Sequence, residues 1–160
     1  MGVFHDRPLT DCHTIEITPH SATSVRLWKL VAKERGISLA EKKPADARLL
    51  IGDAALDEWN RRNGLGVLDL GRAWTEWTGK PFVYAVWALG PQAQAGQAEL
   101  NHFRGACLQG IEKRTLLAKD QREKEYLTGC IHYGLGSEEK EGLAEFAERA
   151  GVGKVAIEWV

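Results

Sequence analysis

Between residues 13 and 25 the hydrophobic period of this chain switches from that of a strand to that of a helix, and this junction restricts the fold more than any other feature. In "HTIEIT", residues 13–18, polar and apolar side chains alternate as in a short strand, and Pro19 then removes a backbone donor and stops the ladder. In "SATSVRLWKLVAKERG", residues 21–36, Val25, Trp28, Val31 and Ala32 share one helical face, Leu27 and Leu30 flank it, and Gly36 is a stop. A strand that feeds a helix this directly is a crossover, the building unit of an α/β sheet.

The same alternation of elements recurs downstream. "ARLLIGDAAL" opens with a run, 47–51, that is apolar but for Arg48, of the kind a buried parallel strand shows, broken by Gly52 and followed by Asp53. A short helix is expected from there to about Arg62, before "NGLG" turns the chain. "VLDLG" reads as a strand, "RAWTEWTG" as one or two helical turns, and "KPFVYAVWALG" as the strongest strand, being aromatic and β-branched throughout. From Pro91 the pattern changes: residues 93–119, with a break open near Gly105 or Gly110, residues 121–133, and residues 137–150 between the breaks "GLGS" and "GVG" read as helices, and "KVAIEWV" as a final strand.

With 160 residues, 44% hydrophobic and 27% charged at a net charge of −1, the chain suits one ordinary domain and neither disorder nor a broad attraction to nucleic acid or acidic membrane. A small or neutral partner fits better. Three cysteines, Cys12, Cys107 and Cys130, form no CxxC pair and read as free thiols of a reducing compartment. "MGVFHDRPLTDCH" has charges and histidines where a signal peptide needs an apolar core, so a cytoplasmic location is expected. Asp6 at the sixth position argues against N-myristoylation.

Two places carry candidate chemistry. A helix start presents unpaired N–H groups and the positive end of the macrodipole, which suits an anion. At residues 18–24 that start is crowded with hydroxyls: one N-cap, Thr18 or Ser21, accounts for one of them and leaves the others as donors for a carboxylate or phosphate. The second place is Gly52-Asp53, at the carboxyl end of the apolar strand and on the sheet edge that the 18–24 turn occupies, where ligands of open α/β sheets bind. Gly52 gives a ligand access to backbone, and Asp53 accepts from a substrate hydroxyl or, equally well, caps the helix at 54–62. His20 lies in the turn, while His13, His102 and His132 have no metal-ligand spacing with the cysteines, so no metal and no cofactor are expected. The six tryptophans read first as core. GxSxG, P-loop and GxGxxG motifs are lacking.

Taken in order, "TPHSATSVRLWKLV", "ARLLIGDAAL" and "LDLGRAWTEWTGKPFVYAVWAL" resemble chorismate dehydratase, the first enzyme of the futalosine route to menaquinone, over about Thr14 to Leu89; "YLTGCIHYGLGSEEKEGLAEF", 126–146, resembles it more loosely. The resemblance implies a type II periplasmic-binding-protein-like fold, two α/β lobes with a ligand crevice between them, and conversion of chorismate to 3-[(1-carboxyvinyl)oxy]benzoate by a carbon–oxygen lyase. It implies that Ser21, Ala22, Thr23 and Ser24 hold a substrate carboxylate, that Gly52 and Ala54 line the opposite wall, and that Asp53 is the catalytic contact to the departing hydroxyl. Full-length members carry an N-terminal segment of roughly a hundred residues on the domain-size scale, most of the first lobe.

On that footing the chain is expected to be a C-terminal portion, with residues 13–81 as the second α/β lobe and 82–160 as a crossing strand and C-terminal helices that pack on the first lobe. Apolar surface left uncovered would then favour a homodimer or association with the N-terminal half. Two other readings stay open: a non-catalytic module that binds small carboxylates, and a 1,4-dihydroxy-6-naphthoate synthase-like enzyme, a sister family with a histidine-containing pair in place of Gly52-Asp53.

Overall fold

The computed structural model of the chain describes residues 1–90, 92–153 and 159. Five short strands, β1 (Gly2–His5), β2 (Thr14–Glu16), β3 (Ala40–Glu41), β4 (Ala47–Leu50) and β5 (Val67–Asp69), form one sheet in the order β3-β2-β4-β1-β5. Three helices follow strands directly: α1 (Ala22–Glu34) after β2, α2 (Gly52–Arg61) after β4 and α3 (Leu70–Thr78) after β5. Further on come α4 (Gln97–Leu117), α5 (Gln121–Glu125), a π-type turn over Tyr126–Cys130, and α6 (Ser137–Arg149).

The sheet is mixed. β4 is parallel to β2, with Ile15 opposite Ala47, as expected for a buried strand between helices, but its other neighbour β1 is antiparallel, with Val3 opposite Leu49. β1 is also antiparallel to β5, with Val3 opposite Leu68. This strand ahead of residue 13 carries no sequence signal of its own, because four residues are too few to display a period. Its place follows from what it joins: Val3 and Phe4 are buried against strands some fifty and sixty-five residues away. Gly66 makes the turn into β5 possible, since its φ of +63° suits glycine and a side chain there would strike the His5 carbonyl. At the entry of β2 and β4 the Asp46 carboxylate accepts from the N–H groups of His13 and Thr14 and from the Thr14 hydroxyl, at 2.9–3.1 Å. Those donors, the His13 N–H foremost, hold the Asp46 carboxyl below the usual carboxylate range.

α1 buries Trp28, Val31 and Ala32 of the expected face together with Leu27, expected at its flank, while Val25 is only half-buried, and Gly36 ends the helix at φ +66°. α3 sets Trp74 at the centre of an aromatic cluster, its ring edge-on to Trp77, Phe82 and Phe146 at 5.7–5.9 Å. α6 reaches this cluster through Phe146, and Gly142 lets it lie directly on the Pro81 carbonyl, where any Cβ would overlap. Trp74, Ile15, Leu27, Leu49, Leu70, Val3 and Val31 are the largest fully buried side chains, each contributing about 1.5–3 kcal/mol relative to exposure.

The chain divides into two compact units, one of residues 1–84 and 136–160 that holds the sheet, and one of residues 85–135 that holds α4 and α5. In the second, no described residue is buried; its clearest internal contact is Trp87 edge-on to Phe103 at 5.3 Å. The stretch 80–90, expected as the strongest strand, joins no ladder and is irregular. Strand propensity reports a fit to a pleated neighbour, and this stretch pairs with neither edge strand, β3 or β5. The expected final strand at 154–160 lies outside the described residues, apart from Trp159.

Candidate functional site

Because β2, β4 and β5 run in one direction, the starts of α1, α2 and α3 all lie at the same edge of the sheet. β2 and β4 are neighbours, which puts the first two helix starts about 5 Å apart in strand spacing; β5 is two strands beyond β4, about 10 Å further. Such an edge gathers N–H groups and positive dipole ends.

The hydroxyl cluster at α1 is divided in its use. Ser21 is the N-cap, its Oγ accepting from the Ser24 N–H at 3.1 Å, and its hydroxyl lies 2.8 Å from that of Ser24. Ser24 is 6% exposed, so its hydroxyl faces Ser21 and not solvent. Thr18 accepts from the His20 N–H at 3.3 Å and shapes the turn. That leaves Thr23, exposed and without a hydrogen-bond partner among the described residues, together with the N–H groups of Ala22 and Thr23. Of the three hydroxyls at 21–24, two hold the helix start and one is free for a ligand.

At α2 the arrangement is barer. The N-cap is Ile51, which has no side-chain acceptor, and the first turn closes with the Ala55 N–H on the Ile51 carbonyl at 3.3 Å. The N–H groups of Gly52, Asp53 and Ala54 therefore have no partner among the described residues. Gly52 has φ +56° with open space where a side chain would be, so glycine serves both the backbone turn and access to it. Asp53 is not the cap: it stands within the first turn, exposed and free of ion pairs and hydrogen bonds among the described residues.

A third start was not legible in the sequence as part of this edge. Asp69 caps α3, its Oδ1 accepting from the Arg72 N–H at 2.9 Å, and the Tyr84 hydroxyl lies over Gly71, the second residue of the helix, where any side chain would displace it. The Tyr84 ring packs edge-on to Phe82 at 5.1 Å while the residue stays 58% exposed. Only the position of β5 beyond β1 brings these residues to the edge, and no local pattern encodes that.

The opposite edge of the sheet has a cleft of about 300 Å³ lined by His5, Asp6, Arg61, Arg62, Leu65 and Gly66. Its guanidinium groups are engaged: Glu58 takes Arg61, Arg62 and Arg48 at 2.6–3.0 Å, and Asp6 takes Arg62 at 2.7 Å. Hydrogen bonds from Arg61, then Arg62, pull the Glu58 carboxyl down to about 2. This cleft is bound up in holding β1, α2 and the β5 turn together.

The free donors are thus on the edge of the sheet that carries Thr23 and Gly52 to Ala54. The sequence profile of the menaquinone biosynthesis family matches residues 1–151, which take in the sheet and every element named above. The chain belongs to the menaquinone biosynthesis family. One curated relative, the chorismate dehydratase of Thermus thermophilus, is 27% identical over 184 aligned residues that cover 95% of this chain and 68% of the relative. For this member of the menaquinone biosynthesis family, no helix among the described residues is long and apolar enough to cross a membrane.

Proposed function

We propose that the chain is a cytoplasmic chorismate dehydratase, a carbon–oxygen lyase that converts chorismate to 3-[(1-carboxyvinyl)oxy]benzoate and water for menaquinone synthesis by the futalosine route. The observation that carries this reading is the pair of adjacent helix starts on one sheet edge, one offering the Thr23 hydroxyl and the Ala22 and Thr23 N–H groups, the other offering three uncapped N–H groups at Gly52, Asp53 and Ala54. Chorismate is a dianion, and two donor sets a strand apart suit its carboxylates. The family match and the dehydratase relative support the same choice. The sheet around residues 13–81 is then read as a lobe of a type II periplasmic-binding-protein-like fold.

In the reaction a proton leaves the ring carbon that bears the enolpyruvyl ether, a hydroxide leaves the neighbouring carbon, and the new double bond makes the ring aromatic. The aromatic product is driving force enough that the site needs little acid–base strength. The α1 and α2 starts fix and neutralise the carboxylates, the substrate's own carboxylate takes the proton, and Asp53 contacts the departing hydroxyl. Ser21 and Ser24 act by holding the α1 start in shape.

The test is incubation of the chain with chorismate and mass detection of the benzoate product against a protein-free control. Product is expected from the unmodified chain and is expected to fall at least tenfold in Thr23→Ala. Asp53→Asn with full turnover removes Asp53 from the mechanism. Binding of chorismate without product turns the reading to a small-carboxylate binding module.

A further inference from the structure

Ser24 is buried at the start of α1, and the hydrogen of its hydroxyl needs an acceptor there. Among the described residues that hydroxyl has one hydrogen-bond partner, the Ser21 hydroxyl at 2.8 Å. A hydroxyl on a helix often turns back to the carbonyl four residues earlier, as those of Thr75 and Thr78 do in α3. For Ser24 that carbonyl belongs to His20, which lies ahead of the N-cap, and the Ser24 hydroxyl bonds Ser21 instead.

Burial decides which serine donates. If Ser21 donated, the Ser24 hydrogen would be left buried with nothing to accept it, at a cost of about tenfold to a hundredfold in population. If Ser24 donates, the hydrogen left over is that of Ser21, which is only half-buried and reaches solvent or a ligand. The second arrangement wins. The Ser21 Oγ then accepts from both the N–H and the O–H of Ser24, at 3.1 and 2.8 Å, and both of its acceptor positions are filled. Its own hydrogen points away from Ser24, and the two bonds it accepts make it a stronger donor. With no acceptor position left, Ser21 can serve a carboxylate but cannot accept from a hydroxyl or an ammonium group. Its oxygen caps α1 while its hydrogen is free for a ligand.

We infer that Ser24 is a positioning residue of the proposed site: by donating to the Ser21 Oγ it turns the Ser21 hydrogen toward an anionic ligand, beside the Thr23 hydroxyl and the N–H groups of Ala22 and Thr23. The inference rests on the enzymatic reading for its ligand, though not for the direction of the bond.

Two measurements test it. Carbon-edited NMR on the ligand-free chain reads the direction: the Ser24 hydroxyl hydrogen is expected to exchange with water slowly enough to be seen on its own Cβ, and the Ser21 hydroxyl hydrogen to exchange fast. A slow hydrogen on Ser21, or on neither serine, overturns the inference. Calorimetric titration with chorismate reads the positioning. Ser24→Ala is expected to weaken binding about threefold to tenfold, the worth of one hydrogen bond. In a Ser21→Gly background, which keeps the N-cap at little cost, Ser24→Ala is expected to add nothing. Full affinity in Ser24→Ala, or the same loss in both backgrounds, overturns the positioning role while the enzymatic reading survives. Absence of binding by the unmodified chain overturns the enzymatic reading and the positioning role with it, and leaves the bond direction to the NMR result.

Discussion

Trp74 and Trp87 make the sharpest contrast in the molecule. Both lie in aromatic, apolar stretches of sequence, yet Trp74 is 0% exposed and Trp87 is 82% exposed. Trp74 stands where α3, the 80–82 segment and α6 converge, so three rings meet its edges. Trp87, among the described residues of its own unit, has one ring beside it, that of Phe103. An apolar side chain becomes core only where the chain also supplies a second layer.

The contrast can be broken from either side. Trp74→Ala should cost about 3–5 kcal/mol, read as the urea midpoint of the sheet's unfolding, because it empties the centre of the cluster; a loss below about 1 kcal/mol would mean that the cluster is not what holds the unit. Gly142→Ala attacks the same cluster from α6 by pushing the helix off the Pro81 carbonyl, and about 1–3 kcal/mol is expected. Acid should act on the sheet unit through Glu58 and Asp46, whose folded carboxyls ionise below their ordinary range. Their contribution is complete above about pH 5 and is lost as pH falls toward about 2. The urea midpoint should drop across that window, and Glu58→Gln should flatten the drop.

Smaller effects sharpen the division within the candidate site. Ser21→Ala removes the α1 cap and should cost about 1 kcal/mol, whereas Thr23→Ala should leave the midpoint unchanged and act on chorismate alone. Smallest of all, Trp87→Ala should move the sheet unit's midpoint by less than about 0.5 kcal/mol. A larger shift would show that Trp87 is covered in solution.

The elements most legible in the sequence are those whose pattern is local. The strand-to-helix switch at 13–25 gives β2 and α1, the apolar run before Gly52 gives β4 and α2, and the glycine breaks bound α6 within a few residues, whereas α4 runs unbroken through Gly105 and Gly110. β1 and the stretch 80–90 show the limit from opposite directions. The first has no pattern and becomes a central strand through partners far along the chain; the second has a strong pattern and no neighbouring strand. The candidate site divides in the same way. Ser21, Thr23, Gly52 and Asp53 lie on the expected edge because β2 and β4 are parallel neighbours, but only packing shows that Ser24 is buried against Ser21 and that Ile51, not Asp53, begins α2. Asp69 and Tyr84 were out of reach, since their place depends on β1.

The position of β1 also sets an order of events. During synthesis residues 2–5 emerge ahead of everything else in the sheet, but both ladders they join are made with strands that are complete only after residues 50 and 69. β2, α1 and β4 can form their parallel unit in the meantime, leaving the growing sheet open at one side. The first strand of the sheet to leave the ribosome is thus among the last to find its place, and a translational pause before residue 70 would prolong the interval in which the edge of β4 is open to other chains.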